Sequence, residues 1–132
     1  MAKRAQVEVK GAKELRKQLK AAGDDLQDLK DTHKKIAQIV EFDALQLAPV
    51  VTGGLVGSIR ASGTQSAAIV RAGRKSVPYA GPIHWGWPQR NITAQPFLID
   101  AQAEKYEDWM REYTQLVDKA IDKIAGDYTN GQ

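Results

Sequence analysis

The chain contains no cysteine, only two histidines (His33 and His84), and no Asp or Glu between positions 44 and 99. Without thiols there is no disulfide framework and no thiolate metal site. Two isolated histidines do not make a clustered zinc ligand set. Asp24, Asp25 and Asp28 fall on a surface helix, and Ser58 has no neighbouring motif that would activate it as a nucleophile. The expectation is a protein that is not an enzyme and uses no cofactor and no metal. Long apolar runs are also missing, so no membrane-spanning helix is expected. The opening Met1-Ala2-Lys3-Arg4 lacks the apolar stretch of a secretory signal, and a cytoplasmic origin is the simplest expectation.

At 132 residues with 42% hydrophobic and 27% charged side chains, the expectation is one folded domain, residues 1–132, rather than a disordered chain. The net charge of +3 is unevenly spread. Residues 1–43 hold ten basic and eight acidic side chains, and residues 100–132 hold four and eight. The acid-free middle holds five bases: Arg60, Arg71, Arg74, Lys75 and Arg90. Such polarity points to a surface that faces an anion such as DNA. Asp and Glu are also depleted in strands, so a β region is a second source of the same pattern.

Periodicity supplies an α+β fold class. Residues 5–10 alternate Val7 and Val9 with polar neighbours, a short half-buried strand. From Ala12 the period turns helical, with Leu15, Leu19, Ala22, Leu26, Leu29, His33, Ile36 and Val40 on one seam. Unbroken to Ala48, this helix would be about 55 Å long and would reach past its own core. Gly23 is a possible break, with Asp24 as the N-cap of a second helix. His33 on the seam reads as a packing residue. Pro49 stops the helix, and Gly53-Gly54 permit a tight turn. A phosphate loop would need Lys-Ser or Lys-Thr after the glycines, where Leu55-Val56 stand. Residues 55–62 and 67–73 read as an antiparallel β-hairpin around Gly63–Ser66.

Tyr79–Ile99 holds Pro82, Pro88 and Pro96 together with Trp85 and Trp87. Three prolines in so short a stretch exclude a regular helix. Linkers are poor in aromatics, so this loop is expected to be pinned into a core or a partner. A final helix runs from Pro96 to Ala125, with Leu98, Ala101, Tyr106, Trp109, Tyr113 and Leu116 on one face and an acidic opposite face. Gly126 is expected to end it, leaving 126–132 as a loose tail.

Two runs are distinctive in combination. Pro49-x-x-Thr52-Gly53-x-Leu55-x-x-Ser58-Ile59 is followed, after the hairpin, by Tyr79-Ala80, then Trp85-Gly86, then Pro96-Phe97-Leu98. Their order and spacing over residues 5–125 resemble the tail-completion, or head–tail joining (neck), proteins of long-tailed bacteriophages. His84 stands where those proteins often place Glu, and Val56 where they often place Arg.

The resemblance implies a structural virion protein at the neck or top of the tail, present in the host cytoplasm during assembly. It implies a homo-oligomeric ring, hexameric or dodecameric, that joins the capsid connector to the tail and lines the DNA passage. Its partners would be itself, other neck, connector and tail proteins, and genomic DNA in transient, non-specific contact. On that reading Tyr79, Trp85, Trp87, Pro96 and Phe97 are expected at the subunit interface, and Arg60, Arg71, Arg74 and Lys75 on the lumen. The alternative is a free basic nucleic-acid-binding module that uses the same cations with Arg90, and stacks bases on Trp85 or Trp87.

Overall fold

The computed structural model describes residues 4–10, 12–21, 23–24, 26–50 and 53–130, the last eight of these by backbone alone. The chain is α+β. In order it forms β1 (Ala5–Val9), α1 (Lys13–Ala21), α2 (Gln27–Leu47), α3 (Gly54–Ser58), β2 (Arg60–Gly63) and β3 (Ala68–Ala72). Then follow α4 (Ala80–Trp85), a single 3-10 turn at Pro88–Arg90, α5 (Phe97–Glu104) and α6 (Tyr106–Asn130).

The three strands pair antiparallel in the order β1-β3-β2. Ala5 stands opposite Ala72, and Val7 opposite Val70; on the other edge Arg60 pairs with Arg71 and Gly63 with Ala68. Because side chains alternate between faces, Ala5, Val7, Val9, Ala68, Val70 and Ala72 all point inward and are buried. Gln6, Glu8, Arg60, Ser62, Ile69 and Arg71 share the half-buried outer face.

Helix α2 lies across β2 and β3, α5 contacts β1, and α6 packs along α2. Leu29, Ile36, Ala37, Val40 and Ala44 give α2 its buried stripe. Phe97, Leu98 and Ala101 from α5 complete the core beside them. Each such large aliphatic or aromatic side chain contributes about 1.5–3 kcal/mol by leaving water. Helix α6 runs antiparallel to α2: Lys119 reaches Asp28 at 3.7 Å near the start of α2, while Asp108 and Glu112 lie beside Lys35 and Phe42.

The expected long helix is two helices. Gly23 adopts φ +85°, and Leu26 adopts φ 64°. Asp24 is not the N-cap expected of it: Leu26 occupies that position without a side-chain cap, and Asp24, two residues earlier, accepts the amide of Leu26 through Oδ1 at 2.6 Å. Leu26 holds its left-handed backbone because its side chain is buried in compensation. Without the 12–48 rod, α2 is about 32 Å long. Ala22, Asp25 and Thr52 lie outside the described residues.

The strand expected at 55–62 begins only at Arg60; Gly54–Ser58 is one helical turn. The turn follows Gly53 at φ 85° and drops Leu55 into the core. The hairpin connection is Thr64–Ala67, closed by the Thr64 amide donating to the Ala67 carbonyl at 2.9 Å. Thr64 Oγ1 accepts the amides of Ser66 and Ala67 at 3.1 Å each. His33 is a packing residue as expected: fully buried, it donates Nδ1–H to the Thr64 carbonyl at 2.7 Å and meets Tyr113 edge-on.

The final helix is broken at Lys105. The indole Nε1–H of Trp109 donates to the Gln102 carbonyl at 2.8 Å, which takes that carbonyl out of the helical ladder. Gly126 does not end α6, which continues to Asn130.

Candidate anion-facing site

The four cations expected on one surface converge on one cavity. A space of about 520 Å³ opens between the start of β1, the outer face of β2 and β3, and the turn that follows β3. Arg60, Arg71, Arg74 and Lys75 line it, joined by Arg4, and no acidic residue does.

The local fold explains the convergence. Gly73 ends β3 at φ 97°, a conformation that side chains rarely adopt, and a Cβ there would lie 2.7 Å from the Cβ of Ala80. The chain then turns through Arg74-Lys75-Ser76 and is closed by the Val77 amide donating to the Arg74 carbonyl at 2.9 Å. This leaves Arg74, Lys75 and Ser76 exposed at the tip.

Ser58 fastens the turn to α3. Its buried hydroxyl donates to the Leu55 carbonyl at 2.7 Å and accepts the Gly73 amide at 2.8 Å. Arg60 completes the tie, with Nη1 donating to the carbonyls of Ser58 at 2.9 Å and Gly73 at 2.8 Å. The Ser-Ile end of the first motif thus has a physical role: Ser58 sets where the Gly73 turn begins, and Ile59 is buried beneath it.

Arg71 is held differently. Its Nε donates to Gln6 Oε1 at 3.0 Å, and Gln6 Nε2 donates to Glu8 Oε1 at 2.8 Å. Lys10 meets the other Glu8 oxygen at 2.9 Å. Glu8 is the acid nearest in register on that face, and the hydrogen bond from Lys10 holds its carboxyl below the usual range. Burial, followed by the neighbouring charges of Arg74 and Arg71, lowers the pKa of the Arg60 guanidinium.

Arg4 was missed by sequence reasoning, which used the first four residues only to exclude a signal peptide. The available signal was register: a strand at 5–10 paired with the end of 67–73 brings residue 4 beside Gly73. Arg90 is not among the residues lining the cavity; it stands over the Trp87 ring at 5.2 Å.

The aromatic segment is pinned into its own chain. Tyr79–Ile99 is not without helix, because Ala80–Trp85 forms a short one with Pro82 in its first turn, where no backbone donor is needed. Trp85 Nε1–H donates to the Arg4 carbonyl at 2.9 Å. His84 is fully buried between Trp85 and Phe97, edge-on to both, at 4.2 and 5.1 Å. Neither ring nitrogen has a hydrogen-bond partner, and burial lowers its pKa to about 4 despite the opposing charge of Asp100. Trp87 and Ile92 exchange backbone hydrogen bonds of 2.8 and 3.1 Å, and the Gln95 amide donates to the Ile83 carbonyl at 2.9 Å.

Of the expected interface residues, Tyr79, Trp85, Trp87 and Pro96 are half-buried. Phe97 is 1% exposed and belongs to the core of a single copy, which corrects its placement at a subunit contact. Large apolar side chains stand exposed elsewhere, on α2 (Phe42) and along α6 (Tyr106, Met110, Val117 and Ile121).

Among the described residues no group of three His, Asp or Glu side chains is placed to hold a metal ion, and no helix is long and apolar enough to cross a membrane. No protein-family model, curated protein or solved structure matches the chain.

Proposed function

We propose that the chain is a structural subunit of a homo-oligomeric ring, of the head–tail joining type, whose cationic face looks onto passing DNA. The observation that carries the reading is the cavity lined by Arg4, Arg60, Arg71, Arg74 and Lys75 with no acid among its lining. Cations gathered around one cavity that no acid lines attract a polyanion without reading its sequence. They contact phosphates, not base edges, which suits DNA in transit.

Self-association draws on two surfaces. The half-buried aromatics Tyr79, Trp85 and Trp87 with Pro96 form one. The exposed apolar side chains of α6 supply the other, since apolar surface rimmed by charge is typical of contacts between copies. A head-to-tail contact between two unlike faces closes into a ring when its rotation allows.

The test is electron microscopy of the purified protein, followed by reconstruction of the particle that carries it. Closed rings of six or twelve copies, and density for the chain at the neck, are the expected results. A particle whose neck has no density for this chain overturns the reading.

The second reading, a free nucleic-acid-binding module, is favoured by one observation: Arg90 stacks over a half-exposed Trp87, a platform suited to a base. It requires the isolated monomer to bind DNA at physiological salt. A passage lining requires weak binding, because tight binding would stall the DNA.

A further inference from the structure

The cationic face is a pocket, not a flat stripe. We propose that the cavity under the Gly73–Val77 turn is a discrete phosphate site. It takes the oxygens of one phosphate group, supplied either by a nucleic-acid backbone or by a free polyphosphate. The inference rests on the reading that this face meets phosphate, and it adds where and how.

Three features carry it. The first is charge balance. Five cations line the cavity and no carboxylate does. Glu8, the nearest acid in register, is bonded to Lys10 and Gln6 and meets Arg71 only through space. Arg60 and Arg71 are direct cross-strand partners, an arrangement of like charges that is unfavourable unless an anion sits between or above them.

The second feature is preorganisation. Arg60 uses only Nη1 to hold the Ser58 and Gly73 carbonyls, so its plane is set while further N–H groups are left over. Arg71 uses Nε to hold Gln6, which leaves its two terminal nitrogens. A guanidinium with free terminal N–H groups matches two oxygens of one phosphate. Side chains already fixed by the fold lose little freedom on binding.

The third feature is shape. A volume of about 520 Å³ lies within the range of small-ligand pockets. Ala5 and Ala72, whose side chains point into the core, border the cavity, and Arg74 and Lys75 stand on an exposed turn beside it. The site therefore combines two guanidinium groups fixed by hydrogen bonds with two exposed cations on the turn.

The test is an NMR titration of the full chain at physiological salt with three probes: sodium tripolyphosphate, a short DNA duplex, and citrate as a carboxylate control. Tripolyphosphate is expected to shift the Gly73 amide and the Arg71 Nε resonance. Arg74→Gln with Lys75→Gln, on an exposed turn, is expected to weaken this binding at least about tenfold. Arg71→Lys keeps the charge but removes the two-pronged donor, and is expected to weaken it as well. The duplex arm identifies the source: shifts at the same two groups point to backbone phosphate, and shifts from tripolyphosphate alone point to a free ligand.

Citrate acting as well as tripolyphosphate overturns the proposal. So does a response spread over every basic residue and unchanged in both variants. A chain that never assembles, yet responds at Gly73, keeps the pocket and discards the ring. A ring whose pocket stays silent does the reverse.

Discussion

Arg60 and Arg71 stand opposite one another in register on β2 and β3, both on the outer face of the sheet, and no acidic residue lines the cavity they share. Like charges directly opposed across strands cost about 0.2–1 kcal/mol. Arg74 adds a third positive charge that Arg60 feels. Arg74→Gln is therefore expected to be at least as stable as the wild type at low ionic strength. The difference should shrink as salt shortens the screening length from about 30 Å at 0.01 M to about 8 Å at 0.15 M. Urea melts at the two salt concentrations check this, and a variant that is less stable at low salt would contradict it.

His84 is expected to make the fold acid-sensitive. Its folded pKa is about 4, against an ordinary value of 6.5. The unfolded chain therefore binds a proton that the folded chain refuses, and between these two values stability falls as pH falls. One proton corresponds to about 1.4 kcal/mol per pH unit. Burial lowers the pKa of His33 too, against its bond to Thr64, so it acts in the same direction. His84→Leu loses no hydrogen bond, because neither ring nitrogen has one. Thermal melts at pH 5 and pH 8 should show the variant gaining more on the wild type at the lower pH.

Glu104 works in the opposite sense. Its pKa is raised, first by its hydrogen bond with Asp43 and then by the charge of Asp43. A raised folded pKa adds stability that is present in acid and lost as pH rises through that pKa. Once ionised, Glu104 no longer donates that hydrogen bond and meets the charge of Asp43 instead. Asp43 is buried and its Oδ2 has no partner. Glu104→Gln supplies an amide donor with no proton to lose, so it should raise the melting temperature at pH 7 and leave it unchanged near pH 4. Equal effects at both values would argue against a shared proton.

Two glycines should respond oppositely to alanine. At Gly63 a Cβ would lie 2.7 Å from Lys34 Cα and 2.9 Å from the His33 carbonyl carbon, so β2 would have to leave the backbone of α2. Gly63→Ala is expected to cost about 1–3 kcal/mol or more. At Gly57 a Cβ meets nothing within 4 Å, and the residue is helical. Gly57→Ala should stabilise by about 0.4–1 kcal/mol. Chemical denaturation of the pair reads both signs in one experiment.

The alternation of Val7 and Val9, the α2 seam and the hairpin were legible because each is a local pattern with one dominant period. The helical turn at Gly54–Ser58 was not, since five residues are too few to display a period. Its cause is also distant: Ser58 is held by the Gly73 amide, fifteen positions along the chain. The break at Lys105 was hidden for a similar reason. Trp109 looks like an ordinary member of the apolar face, and only its indole bond to Gln102 shows that it interrupts the ladder it belongs to. For the cationic site, composition identified Arg60, Arg71, Arg74 and Lys75, while Arg4 needed the β1–β3 register. Phe97 was misplaced because a proline-rich aromatic stretch looks the same from sequence whether its side chains face inward or outward.

The break at Gly23 sets how the amino-terminal part of the fold can loosen. Helix α1 buries only Leu19 completely, with Leu15 resting partly on the core, whereas α2 buries seven residues. A helix of nine residues is too short to persist on its own. Detaching α1 exposes little apolar surface and leaves in place the Asp24–Leu26 turn that precedes α2. The first event of opening is therefore expected to be a peeling of α1, with β1 still paired to β3, and hydrogen exchange should show the α1 amides least protected.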